Sequence, residues 1–259
     1  MLFRRTNIEM LRLCGATWYE PGPFEDALKD ARRETLSNCC RRARRSRNLE
    51  RFWRGIPADR RRAWGWKDPR TTLTLPLWLE QFPDAAVIHV TRNGVDVAES
   101  LIQRERPSYR RWRMIARSLA YPVLSFRWQE YKPRAFAHHR QAFELWAAYV
   151  RSGLAATASL SSRQSHWLRY EDLLDQPARE LGRITRFLEI AKSEQVIKHL
   201  SDGIDARRRN PFLQSPRLRN IYEHVRGDPH MAALGYDAVD SPATPSQPRA
   251  QDAAQIHAA

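Results

Sequence analysis

Hydrophobic spacing changes period several times along the chain. Ala86-Val87-Ile88-His89-Val90 is a continuous, largely β-branched run of the kind buried in a parallel sheet. Residues 72–82 before it and 95–103 after it are spaced for helices. A short aromatic run, Trp64 to Lys67, reads as the end of an earlier strand, and Asp68-Pro69-Arg70-Thr71 punctuates it. Turns fall at Pro83-Asp84 and Asn93-Gly94. The order strand, helix, strand, helix predicts an α/β domain with a parallel sheet flanked by helices.

The rest of the chain fits this frame unevenly. Phe143, Trp146, Tyr149, Val150 and Leu154 make residues 140–160 an amphipathic helix. Residues 166–170 form a further strand candidate, and residues 177–188 a helix with Pro177 at its start. Near the beginning, Ile8, Met10, Leu11 and Leu13 mark a short amphipathic stretch, followed by the turn-rich Glu20-Pro21-Gly22-Pro23. Residues 26–61 are strongly basic and read as helical, whereas residues 103–140, rich in Arg, Tyr, Trp and Pro, show no ordered period. Periodicity ends after Asp237. The expected organisation is one folded domain over 1–237 and a disordered tail over 238–259, without internal repeats.

Composition narrows the partners rather than the fold. With 259 residues and 42% hydrophobic side chains, one domain with a full core is expected. Mean hydropathy is -0.66, much of it from arginine. The 44 Lys and Arg against 29 Asp and Glu leave a net charge of +15. Such a surplus favours polyanions: nucleic acid, an anionic membrane surface or a multiply phosphorylated small molecule. The cluster Arg41, Arg42, Arg44, Arg45 and Arg47 reads first as a solvated helix face, and second as a nucleic-acid or substrate-facing patch. No helix-turn-helix, zinc or RNA-recognition signature accompanies it, which ranks a basic nucleic-acid-binding module last among the readings. Cys14, Cys39 and Cys40 are too few and wrongly spaced for a disulfide framework or a metal site, so reduced thiols and no metal are expected. No run of about 18 apolar residues predicts a membrane span. Met1-Leu2-Phe3-Arg4-Arg5 lacks the apolar centre of a signal peptide, and a cytoplasmic location is expected.

The candidate chemistry gathers at the ends of the strands. A helix N-terminus after a strand offers unpaired N–H groups and the positive end of a dipole, a ready anion site. Arg92 stands at that turn, and Gly94 is expected to let backbone approach a ligand. Ser100 and Arg104 share a helical face with Asp96. Arg92 and Ser100 together make a phosphate clamp. Lys67, at the end of the neighbouring strand candidate, should project to the same edge, where an ammonium can neutralise charge on a departing oxygen. The bland alternatives are an arginine merely near a strand end and a surface lysine paired with Asp68.

These residues carry a resemblance. Trp66-Lys67-Asp68-Pro69-Arg70-Thr71, Phe82-Pro83-Asp84-Ala85 and the segment Ile88 to Ser100 resemble the sulfotransferase superfamily, above all the bacterial branch related to tyrosylprotein sulfotransferases. Leu168-Arg169-Tyr170-Glu171-Asp172-Leu173 is similar to that family's later strand-to-helix element, and Leu234-Gly235-Tyr236 to its usual domain end. The resemblance implies a P-loop-NTPase-like sulfotransferase fold and a 3′-phosphoadenosine-5′-phosphosulfate donor. It implies that Arg92 and Ser100 hold the donor's 3′-phosphate, that Arg104 supports them and that Tyr170 lies near the nucleotide. Lys67 corresponds to the lysine that stabilises the leaving phosphate. Arg70 is read either as a partner of an acidic side chain or as a substrate contact. Arg207, Arg208 and Arg209 fall where relatives place a basic loop over the nucleotide.

One element of the pattern is missing. The family's opening strand and its Pro-(Lys/Arg)-Ser-Gly-Thr-Thr loop, which cradle the 5′-phosphosulfate, have no counterpart. Cys14-Gly15-Ala16-Thr17-Trp18 resembles that loop only superficially, because no β-branched strand precedes it and the basic residue is absent. The expectation is a domain with its first strand and loop missing, N-terminally truncated relative to the family. The function expected is transfer of a sulfuryl group to a hydroxyl or amine; the alternative is an inactive, truncated nucleotide-binding remnant. Glu9 and Glu20 are candidates for the catalytic base, and each is read first as structural. An acceptor pocket of acidic or sugar-like preference is expected from Arg106 to Arg134.

Overall fold

The computed structural model describes residues 2–46, 64–104, 138–190, 193–205 and 209–239. Helices dominate it. Helices α1 (Leu2–Leu13), α2 (Gly22–Ala27), α3 (Arg32–Arg44) and α4 (Thr71–Gln81) precede strand β1 (Val87–Thr91). Helix α5 follows over 94–104, then α6 (His139–Thr157), strand β2 (Ser165–Arg169), α7 (Tyr170–Asp175), α8 (Pro177–Phe187) and α9 (Glu194–Asp202). A 3₁₀ turn (Pro211–Gln214) and helices α10 (Pro216–Val225) and α11 (Pro229–Ala233) complete the described chain. Ser193, Ser215 and Asp228 cap α9, α10 and α11 through side-chain oxygens, satisfying N–H groups that a helix start leaves open.

Among the described residues, two strands form the sheet. They run parallel in the register Val87↔Ser165 to Thr91↔Arg169. This agrees with the parallel α/β pattern, although the sheet is small. Trp64 to Lys67 is not a strand. Its alternate rings point one way, as in an extended chain, but they dock on helices instead of pairing: Trp66 stacks on Phe3 with centroids 4.1 Å apart, and Trp64 lies 5.5 Å from Phe82. Aromatic packing replaces a hydrogen-bonded ladder there. β1 is also less buried than its β-branched run implies, since Val90 is 61% exposed.

Two apolar clusters hold the helices together. The first joins α1 to α4 through Met10, Phe24, Leu36, Cys40, Leu77 and Trp78. Leu13 departs from the amphipathic reading of α1 and is exposed. The basic stretch expected as one helix over 26–61 divides between α2 and α3 at residues 28–31, and residues 47–61 lie outside the described residues. The second cluster joins α5, α6, α10 and α11 through Val95, Phe143, Trp146, Tyr222, Met231 and Tyr236. Tyr149 of α6 packs against both clusters, and its hydroxyl donates to the Trp18 carbonyl at 2.8 Å. Cys14, Cys39 and Cys40 are free and buried, and burial pushes the Cys40 thiol up to about 12. Among the described residues no helix is long and apolar enough to cross a membrane, and no group of three or more His, Cys, Asp or Glu is placed to hold a metal.

Candidate nucleotide site at the strand ends

The parallel register brings the chemistry together. Because Thr91 pairs with Arg169, the next residues on the two strands, Arg92 and Tyr170, leave the sheet at the same edge. The Arg92 guanidinium lies 5.2 Å from the centroid of the Tyr170 ring, within cation–π range. Arg92 also reaches Asp96, one helical turn on, at 3.4 Å. Burial raises Asp96 to about 6, with the Arg92 charge and the N–H of Phe212 working in the opposite direction.

The turn that carries Arg92 is fixed on both sides. Trp146 Nε1 donates to the Arg92 carbonyl at 3.1 Å, and the Asn93 side chain accepts from Val95 N–H at 2.9 Å, capping α5. Gly94 serves packing rather than ligand approach. A Cβ there would stand 2.7 Å from Phe143 Cε2 and 2.8 Å from Trp146 Cε3, so the glycine lets two aromatic rings close on the helix start.

Lys67 sits between two residues held by a buried network. Asn7 is fully buried on α1 and makes four hydrogen bonds. Its amide nitrogen donates to Asp68 Oδ2 at 3.1 Å and Thr71 Oγ1 at 3.0 Å. Its oxygen accepts from Thr74 Oγ1 and Trp78 Nε1, both at 2.8 Å. An indole N–H can only donate, which fixes the orientation of the amide. Thr71 Oγ1 also accepts from Trp66 Nε1 at 3.0 Å. Both neighbours of Lys67 are therefore tied down, while Lys67 itself is exposed and has no partner among the described residues. Asp68 pairs instead with Arg70 at 2.9 Å, so Arg70 takes the first of its two expected roles.

A cavity of about 1160 Å³ is lined by Lys67, Arg70, Arg92 and Arg104 together with Trp18, Trp66, Trp146 and Tyr149. It is large enough for a nucleotide. Lys67, Arg92 and Arg104 thus share one cavity, with Arg104 5.4 Å over the Trp18 ring. Ser100 stands exposed on α5 between Asp96 and Arg104 and does not line the cavity; Tyr170 sits against Arg92 from outside. Glu9 pairs with Arg42 at 2.8 Å and Glu20 bridges Thr17; neither lines the cavity, whose carboxylates are Asp68 and Asp84. Arg209 pairs with Asp175 at 2.6 Å. Arg207, Arg208 and the expected acceptor stretch Arg106 to Arg134 lie outside the described residues.

Sequence reading missed Asn7 and Glu171. Asn7 gives no local signal, because its partners lie 61 to 71 residues away. Glu171 belongs to the strand-to-helix segment, but its buried role depends on residues 91–93 and 236, which the sequence separates widely.

A putative protein-tyrosine sulfotransferase from Caenorhabditis elegans is 26% identical over 142 residues, which cover 54% of this chain and 46% of that protein. The chain thus spans about half the length of the curated relative it matches. No solved structure matches the chain. The model of the sulfotransferase family matches residues 16–194, a span that includes Lys67, both strands, Arg92 and Tyr170, and this chain belongs to that family.

Proposed function

We propose that the chain binds 3′-phosphoadenosine-5′-phosphosulfate at the strand ends and takes part in sulfuryl transfer to a hydroxyl or amine. The observation that carries this reading is an exposed ammonium, Lys67, without a partner among the described residues, lining the same cavity as Arg92. In the proposed assignment Arg92 binds the 3′-phosphate and Ser100 joins it from the exposed face of α5, outside the cavity lining, while Arg104 adds charge beside them and Tyr170 stays near the adenosine. Lys67 neutralises the bridging oxygen as the sulfur–oxygen bond to the 5′-phosphate breaks. The donor, when bound, supplies the activated sulfuryl group; no metal takes part. The acceptor oxygen or nitrogen forms the new bond to sulfur and gives up its proton to solvent, while adenosine 3′,5′-bisphosphate leaves with the electron pair of the broken bond; the tyrosyl hydroxyl in the relative's name makes a phenol a first acceptor to try.

A P-loop-like sulfotransferase domain extends over 1–237, with 238–259 as a tail, and the strand that leads into the 5′-phosphosulfate loop is missing. The open edge of β1 supports this. Val87 N–H points to β2, donating to Gln164 at 2.8 Å. Alternation then turns the main-chain groups of Ile88 and Val90 the other way. They have no hydrogen bond among the described residues. That edge also favours a second reading, in which the chain binds the nucleotide without transferring sulfate.

Isothermal titration with adenosine 3′,5′-bisphosphate tests the site. Binding is expected, and Arg92→Ala should weaken it roughly 30- to 100-fold, as loss of charge-assisted bonds to a phosphate does. Folded protein that does not bind, or binds equally well without Arg92, overturns the proposal. Binding without any transfer from the sulfated donor to a phenol selects the second reading.

A further inference from the structure

Glu171 is 2% exposed, yet it is a carboxylate one residue beyond the Tyr170 that meets Arg92. One of its oxygens accepts from the main-chain N–H of Asn93 at 3.0 Å. The other accepts from the Tyr236 hydroxyl at 2.9 Å. That hydroxyl also lies 3.3 Å from Thr91 Oγ1, and the Tyr236 ring is fully buried under the Arg169 guanidinium, 4.6 Å away. Three separated pieces of chain therefore meet at one carboxylate: the turn after β1, the start of α7 and the Leu234-Gly235-Tyr236 end of the described domain.

A buried carboxylate beside a proposed anion site is at first sight misplaced, because its charge opposes a phosphate. Its geometry gives the reason. The N–H it holds belongs to the residue after Arg92, whose own carbonyl is held by Trp146. The single peptide unit that joins Arg92 to Asn93 is thereby clamped at both its carbonyl and its N–H, which leaves the guanidinium side chain to move while its origin stays fixed. A hydrogen bond to a carboxylate is among the stronger ones available, and in a buried site it is not weakened by water.

We infer that Glu171, locked by the Tyr236 hydroxyl, is a positioning residue for the Arg92 turn, so that the end of the domain sets the aim of the 3′-phosphate contact. The inference rests on the proposed role of Arg92. It assigns to the Leu-Gly-Tyr segment a task in ligand binding through Glu171, beyond closing the core.

The test compares adenosine 3′,5′-bisphosphate with adenosine 5′-monophosphate, which lacks the 3′-phosphate, by titration calorimetry on the full chain. Glu171→Ala is expected to weaken the bisphosphate about tenfold and the monophosphate less than about threefold. Glu171→Gln should recover most of the loss, since an amide oxygen still accepts from Asn93 and its nitrogen donates to the Tyr236 oxygen. In an Arg92→Ala background the Glu171→Ala effect should fall below about twofold, the sign that one acts through the other. Equal weakening of both nucleotides, or a loss that persists undiminished without Arg92, overturns the inference. If Glu171→Ala does not fold, Tyr236→Phe replaces it; it keeps the ring and should cost about threefold on the bisphosphate alone, and an unchanged or non-selective affinity overturns the inference. Wild-type protein that fails to distinguish the two nucleotides overturns the reading of Arg92 itself, and the inference with it, a result distinct from a selective wild type whose Glu171 variants stay selective.

Discussion

Two buried titratable groups on adjacent elements work against each other as pH changes. His89 stacks on Trp167 at 4.4 Å, and burial lowers it to about 4. Between its ordinary value near 6.5 and about 4 the unfolded chain takes up a proton that the folded chain refuses, so stability falls as pH falls. Asp96 has the opposite sign. Burial raises it to about 6, so between about 6 and 3.8 the folded chain holds the extra proton and stability rises as pH falls. Each slope is about 1.4 kcal/mol per pH unit at most, and the two nearly cancel between pH 6 and 4. Chemical denaturation across that range should expose them separately. Relative to wild type, His89→Phe should gain stability on acidification and Asp96→Asn should lose it. Parallel pH profiles for wild type and both variants would show that neither group titrates as its surroundings require.

At the scale of elements, what the sequence makes legible is local. The periods over 72–82, 140–160 and 177–188 correspond to α4, α6 and α8 within a few residues, and both strand runs fall on β1 and β2. The meeting of Arg92 and Tyr170 follows once the strands are parallel, because both are the first residue past a paired end. Trp64 to Lys67 shows where local reading stops: alternation reports an extended chain, but a strand also needs a partner, and here Phe3 and Trp78 supply packing instead. The hold on Lys67 is equally non-local. It depends on α1 delivering Asn7 to the start of α4. Asn7→Ala leaves Trp78 Nε1 without its acceptor and removes one partner from Asp68 in a buried setting. A loss of about 3 kcal/mol or more is expected in urea denaturation, at one to three kcal/mol for each buried polar group deprived of its partner. A loss below about 1 kcal/mol would mean that the network does not brace the Lys67 wall.

On the scale of the whole molecule, the sheet is the part least closed upon itself. Two packed clusters of helices flank a pair of strands, and one edge of β1 opens on the cavity that carries Lys67 and Arg92. A strand edge left unpaired, as this one is among the described residues, normally attracts another strand. A net charge of +15 keeps copies of the chain apart at low salt, so the edge should stay open in a dilute monomer. Amide hydrogen exchange followed by NMR reads this directly. Val87, His89 and Thr91 direct their N–H groups toward β2, whereas Ile88 and Val90 direct theirs away from it. Protection should therefore alternate along β1, with Ile88 and Val90 exchanging at least about tenfold faster than their neighbours, since edge amides open at low free-energy cost. Uniform protection of all five amides would mean that a further strand already pairs there. The same measurement with adenosine 3′,5′-bisphosphate added then separates two functions of the edge. A ligand held only by Arg92 and its neighbours leaves the alternation unchanged, while one that also occupies the main-chain groups of β1 slows exchange at Ile88 and Val90 alone.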